Sequence, residues 1–263
     1  MKHVLIMLVS VSAVLASFQS AFAGDKIDRE KFTLLGNPDE FISSTAMIKS
    51  YQKEAEKGNG EAQYNLAVCY LYGTGYGVTK DLTEAVKWAR KSADRGCASG
   101  QLLLATCYEE GSGLPKNLLE AFKWYKKAAE KDNAAAQVAL GSCYYEAKGT
   151  KKDCAEAVKW WAKAAEQGNA SAQFHLGSAY ENGAPGVKKN SDEAIKWYTK
   201  AADQGNVNAQ YNLALCYENG KGVKKDKEEA LKWYRKAADQ GNSDAKKAVK
   251  RLGNNQRSHT IKF

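Results

Sequence analysis

Few residues in this chain have the type and spacing to do covalent or metal chemistry. Ser50 and Lys53 form a Ser-x-x-Lys pair, in which a lysine can help activate a serine nucleophile. Neither the Ser-Asp-Asn nor the Lys-Thr-Gly element that completes such a hydrolase site occurs, so no catalytic residue is expected. Of three histidines, His3 lies in the N-terminal leader and His259 near the C-terminus. His175, beside Phe174, reads as a packing or groove residue. With no Cys-x-x-Cys and no histidine cluster, neither a metal nor a cofactor is expected. The run Gly73-Thr74-Gly75-Tyr76-Gly77 has the glycine count of a phosphate loop, but it follows a helix and recurs as an inter-helix turn, so its glycines serve the turn.

The six cysteines raise the question of disulfides. Cys69, Cys107, Cys143 and Cys216 each precede a recurring tyrosine, a slot filled by Ala179 in one copy. They therefore read as small buried residues, a full repeat apart and beyond the roughly 7 Å that a bridge tolerates. Only Cys143 with Cys154, across a short loop, has feasible geometry for a disulfide.

The elements that hold these residues follow from the ends of the chain inward. Lys2, the apolar run from Val4 to Leu15 and Ala21-Phe22-Ala23 before Gly24 have the form of a secretory signal peptide over 1–23, cleaved near Ala23-Gly24. A periplasmic or secreted location is expected, with no membrane-spanning segment in the mature chain. The net charge of +9 falls to +8 with the leader removed. The lysines are spread evenly along one helix type and no aromatic-basic reading motif accompanies them, so nucleic acid is not an expected partner. Only three prolines occur, and alanine, lysine and glutamate abound, as expected of an all-α protein.

Trp88, Trp124, Trp160, Trp197 and Trp233 are separated by 36, 36, 37 and 36 residues, and Gln63, Gln101, Gln137, Gln173 and Gln210 by 38, 36, 36 and 37. Five copies of one helix pair follow. In the first copy the apolar spacing predicts helices from Glu61 to Tyr72 and from Leu82 to Asp94. Asn59, Asn133, Asn169, Asn206 and Asn242 stand where the first helix needs an N-cap, with Cys97 as the one replacement. Asp81, Asn117, Asp153, Asn190 and Asp226, each with Glu three residues on, read as capping boxes for the second. Gly73, Gly111, Gly183 and Gly220 close the first helix, and the third copy departs with Ala147. The expected organisation is a segment with a half-repeat capping helix over 24–58, five repeats over 59–241, a capping helix over 242–252 and a disordered tail over 253–263.

Ala209-Gln210-Tyr211-Asn212-Leu213-Ala214, then Gly220-Lys221-Gly222-Val223-Lys224-Lys225-Asp226, then Ala230-Leu231-Lys232-Trp233-Tyr234 resemble the Sel-one-like repeat family, relatives of the tetratricopeptide repeats. The resemblance covers residues 48 to 252. It implies a right-handed α-solenoid whose first helices line the concave side, and an adaptor or scaffold role, as in secreted bacterial members, with a protein or peptide as partner. The family's cysteine-rich branch bridges each helix pair and has been described as penicillin-binding with weak β-lactamase activity. The regular cysteine pairing is missing here, and a weak hydrolase or a binder of cell-wall polymer stands as the alternative reading.

With Leu66 and Tyr70 buried, helical phase turns Tyr64, Leu102, Val138, Phe174 and Tyr211 toward the concave side, where they form either a stripe for a partner or packing for the neighbouring first helix. Beside them Glu109, Glu110, Glu146, Glu181 and Glu218 form an acidic edge, while the lysines of the second helices face outward. The expectation is a monomer that binds a basic or neutral segment carrying apolar anchors.

Overall fold

A computed structural model describes residues 38–73 and 78–260, with side chains over 47–73 and 78–253. The expected leader, the segment to residue 37, part of the first inter-helix loop and the last three residues lie outside the described residues. All regular structure described is helical: α1 (Pro38–Glu56), α2 (Gly60–Tyr72), α3 (Leu82–Asp94), α4 (Ala98–Glu110), α5 (Leu118–Ala129) and α6 (Ala134–Glu146). They are followed by α7 (Cys154–Glu166), α8 (Ala170–Asn182), α9 (Ser191–Asp203), α10 (Val207–Asn219), α11 (Lys227–Asp239) and α12 (Ser243–Thr260). None is long and apolar enough to cross a membrane.

The chain divides into two compact units, one running to Cys143 with 147–151, the other holding Tyr144–Glu146 and everything from Lys152. Each is a stack of helix hairpins. In the first unit Asp81 N donates to Tyr70 O at 2.9 Å, and Ser92 Oγ to Gly60 O at 2.6 Å. The start of α3 thus lies beside the end of α2 and the end of α3 beside its start, so the pair is antiparallel. In the second unit Asn190 N→Tyr180 O and Asp226 N→Tyr217 O, both 2.9 Å, repeat the joint. Alanines with almost no exposure, such as Ala89 and Ala128 in the first unit and Ala201 and Ala237 in the second, permit close helix approach.

The expected asparagine caps are present: Asn59, Asn133, Asn169, Asn206 and Asn242 each accept a backbone N–H three residues on. At Cys97 no side-chain cap forms, although its backbone is the same, φ −64° and ψ 121°. The capping boxes are only half built. The aspartate or asparagine accepts from the Glu N–H, but its own N–H is already given to the preceding tyrosine carbonyl. Each glutamate turns instead to the lysine three residues on, as in Glu84–Lys87 at 2.8 Å and Glu120–Lys123 at 2.7 Å.

Both ends of the chain depart from expectation. α1 begins at Pro38, well upstream of the half-repeat at Ile48. α12 continues to Thr260, so the tail expected to be disordered from 253 is helical over its described residues. Gly253 costs a helix about 1 kcal/mol and no proline follows to end it. Ala147 also differs from expectation: it adopts the left-handed cap, φ 61° and ψ 35°, and Lys148 N→Cys143 O closes the turn at 3.0 Å as Ser112 N→Cys107 O does. The second loop glycine has a packing cause, because a β-carbon at Gly113 would overlap the Leu82 carbonyl.

Candidate partner-binding surface

The face in question is formed by three positions of each first helix, at i, i+4 and i+7, which helical geometry stacks together. Its first position is the expected stripe. Tyr64, Leu102 and Val138 are 8%, 7% and 7% exposed, and so are core rather than groove. Tyr64 joins a cluster with Val68, Leu103, Leu104 and Cys107, so the neighbouring first helix takes the contacts a partner would have had. Phe174 and Tyr211 stay half-buried, packed on one flank against the core of the second unit. The stripe contracts to these two.

The acidic edge is largely engaged within the chain. Glu109 accepts from Tyr125 Oη at 2.7 Å and from Lys148 Nζ at 3.1 Å. In the second unit Glu181 accepts from Tyr198 Oη at 2.8 Å and pairs with Lys221 at 3.6 Å. Glu218 accepts from Tyr234 Oη at 2.8 Å and pairs with Arg251 at 2.7 Å. Each carboxylate joins the second helix of its own repeat to a cation of the next element. Burial pushes the hydroxyls of Tyr125, Tyr198 and Tyr234 far above the usual tyrosine range, with the facing carboxylates adding to it, so they remain donors. Burial also pushes the Glu218 carboxyl up, but Arg251 and the Tyr234 hydroxyl outweigh it and hold it below the usual range. Glu110, which accepts from Ser112 Oγ at 3.2 Å, and Glu146 remain exposed. The expected acidic edge is thus thinned, because Glu109, Glu181 and Glu218 are already neutralised by internal partners.

In the third repeat the latch is replaced by rings. Tyr145 stands where the second, fourth and fifth repeats have glutamate and Trp161 where they have tyrosine, with centroids 5.5 Å apart. Trp161 stacks on His175 at 4.8 Å, His175 meets Phe174 at 5.5 Å, and Phe174 meets Tyr198 at 6.1 Å. Tyr211 rests on Tyr234 at 5.6 Å. Tyr145 is 41% exposed. Burial pushes the His175 imidazole down to about 4, which makes it a neutral packing group at ordinary pH.

The second helices carry a regular surface. Lys91 and Lys127 lie 4.0 and 3.8 Å over the rings of Trp88 and Trp124. In the second unit Lys163, Lys200 and Lys236 lie 4.3, 4.4 and 3.9 Å over Trp160, Trp197 and Trp233. Such contacts lay lysine stems over the indoles, of which Trp233 is buried and the other four are half-buried.

None of the six cysteines is joined in a disulfide, so the bridge expected between Cys143 and Cys154 does not form in this structure, and both are buried, where they act as small apolar residues. Burial pushes the thiols of Cys69, Cys107 and Cys216 up to about 11, 12 and 12, well away from nucleophilic thiolate. Ser50 and Lys53 lie exposed on α1.

Sequence reasoning missed two networks. The latch had a signal: the columns 109/181/218 and 125/198/234 change together, to Tyr145 and Trp161 in the third copy and to Leu71 and Ala89 in the first. The recurring glutamine, read only as a marker, is a tether. Gln63, Gln101, Gln137, Gln173 and Gln210 donate through Nε2 to Ala55, Ala93, Ala129, Ala165 and Ala202 O at 3.0 to 3.3 Å, satisfying a carbonyl at the end of the preceding helix.

Comparison with known proteins agrees with this architecture. The Sel1 repeat matches five times, over residues 60–97, 98–133, 134–169, 170–206 and 207–242. Among solved structures, the chain is 39% identical to a protective antigen of uropathogenic Escherichia coli with an SLR fold, with a TM-score of 0.73 over 77% of this chain and 43% of that one. It therefore spans less than half the length of that protein. A Sel1 repeat protein from Oxalobacter formigenes is 35% identical, with a TM-score of 0.70 over 81% of this chain and 87% of the other. An immunity protein from Pseudomonas aeruginosa, 24% identical with a TM-score of 0.50, shares the fold alone. Among curated proteins none matches.

Proposed function

Because this chain belongs to the Sel1-repeat family, whose all-α solenoids generally act as non-catalytic protein-interaction scaffolds, we propose that it is an exported scaffold for a partner protein. The partner offers a neutral segment with apolar anchors, which lies on the first-helix face of the second unit at Tyr145, Phe174 and Tyr211. The leader-like residues 1–23 support export.

One observation carries the reading: these three side chains keep exposed surface while their other faces rest on Trp161, His175 and Tyr234. Partly exposed aromatics held rigid from behind lose little conformational entropy on docking and are the usual anchors of protein interfaces. With Glu181 and Glu218 internally paired, apolar contact rather than charge selects the partner.

The test is photo-crosslinking in the native compartment with p-benzoylphenylalanine at position 145 or 211, and at Lys163 on the opposite helix type as control. The expected result is the same captured chain from 145 and 211 and none from 163. Equal capture at 163, or none at 145 and 211, would contradict the reading.

A further inference from the structure

A second surface, independent of that face, lies in the first unit along the edge formed by its inter-helix loops. Asp81 N→Tyr70 O at 2.9 Å and Asn117 N→Tyr108 O at 2.8 Å set the ends of α2 and α4 beside the starts of α3 and α5. Each later loop then laps onto the preceding repeat: a β-carbon at Gly113 would overlap the Leu82 carbonyl, and one at Gly149 the Leu118 carbonyl. The loops and helix ends therefore make one continuous edge. Among the described residues, two of the three large apolar side chains that are exposed stand on it, Tyr72 at 43% and Leu119 at 53%. Pro115 is exposed on the same edge, and Val78 and Leu114 are half-buried there. The repeat does not demand these side chains. Where Leu119 stands, the other copies have Thr83, Ala155, Asp192 and Glu228, and where Tyr72 stands they have Glu110, Glu146, Asn182 and Asn219.

The charge available on this edge is positive. Lys80, Lys116 and Lys151 are exposed and enter no ion pair among the described residues. The neighbouring acids are engaged: Glu84, Glu109 and Glu120 pair with Lys87, Lys148 and Lys123, and Asp81 accepts from two backbone N–H groups. Glu110 alone stays exposed, bound to the Ser112 hydroxyl. The starts of α3 and α5 add the partial positive charge of helix N-termini. Protein–protein interfaces deplete lysine, whereas apolar side chains interleaved with lysine suit the boundary of an anionic bilayer. There leucine and tyrosine enter the headgroup region while lysine stems carry their ammonium groups back to the phosphates.

We propose that the first unit docks by this loop edge on an anionic phospholipid surface, with Tyr72 and Leu119 entering the interface and Lys80, Lys116 and Lys151 at the lipid phosphates. The attachment is peripheral and reversible. Both forces are needed, so neutral lipid, which offers only the apolar contact, is bound more weakly, and salt weakens binding by screening the lysines.

The experiment is flotation of the mature protein with vesicles of phosphatidylcholine alone and of phosphatidylcholine mixed with phosphatidylglycerol. Two variants test the edge: Tyr72→Asn/Leu119→Thr, which installs residues found at the same positions of sister repeats and so keeps the fold, and Lys80→Gln/Lys116→Gln/Lys151→Gln. Tyr145→Ser controls for exposed aromatic surface elsewhere. Flotation with the mixed vesicles, persisting in added inorganic phosphate at constant ionic strength, is expected. The bound-to-free ratio should fall roughly tenfold in the apolar variant and about a hundredfold in the lysine variant, at about fivefold per lysine, and stay at the parent value in Tyr145→Ser. No flotation with the mixed vesicles, equal flotation with neutral ones, competition by inorganic phosphate, undiminished binding by either edge variant, or an equal loss in Tyr145→Ser would overturn the proposal.

Discussion

Tyr198 places one hydroxyl between two side chains: it donates to Glu181 and accepts from Asn212 Nδ2 at 3.1 Å, from a ring with no exposure. Tyr198→Phe keeps the ring and removes both bonds, leaving the amide and carboxylate short of a partner. A loss of about 2 kcal/mol is expected in urea unfolding, as for a hydrogen bond to a charged group. His175 gives a pH dependence of definite sign. The unfolded chain takes up a proton near the ordinary value of about 6.5, whereas the folded imidazole resists down to about 4. Between those values the unfolded state binds more protons, so acidification lowers stability and raising the pH restores it. His175→Phe should flatten melting temperature against pH across that window; an unchanged slope would show that other groups govern it.

At the scale of elements, α4 is the first helix without a side-chain cap, although Cys97 shares the backbone of the asparagines that cap its siblings, such as Asn206 at φ −63° and ψ 112°. Cys97→Asn should therefore add about 1 kcal/mol to stability. At the other end of the hairpin, Ala147 holds φ 61°, a conformation that costs a residue with a β-carbon roughly 1 kcal/mol. Ala147→Gly should recover about that much less glycine's greater unfolded entropy, seen as a small rise in urea midpoint. These elements were legible because caps, helix lengths and turns depend on chemistry within a few residues. Burial of the stripe was not. Tyr64 carries the same local pattern as Phe174 and Tyr211 but differs in what the next first helix packs against it, Leu103 and Leu104 in the first unit. The glutamate–tyrosine latches join residues 16 or 17 apart, beyond any single-helix period, and the paired changes at Tyr145 and Trp161 and at Leu71 and Ala89 were their trace.

For the whole molecule, the repeats explain why the chemistry is quiet. Among the described residues, His175 and three of the five edge glutamates join one helix to the next, the cysteines are buried or half-buried, and outward lie Tyr72 and Leu119 in the first unit, Tyr145 in the second and the Trp–Lys pairs of the second helices. A scaffold role and an exported location make a joint prediction: protein recovered from outside the cytoplasm should begin at Gly24 by mass spectrometry. The most direct measurement is the affinity of the crosslinked partner, once identified, for the Tyr145→Ser/Tyr211→Ser double variant and for Lys163→Ser/Lys200→Ser. A fall of roughly tenfold or more in the first, at about 1.4 kcal/mol per tenfold, with the second near the parent, is predicted. Equal affinities for the parent and the aromatic double variant would contradict the account.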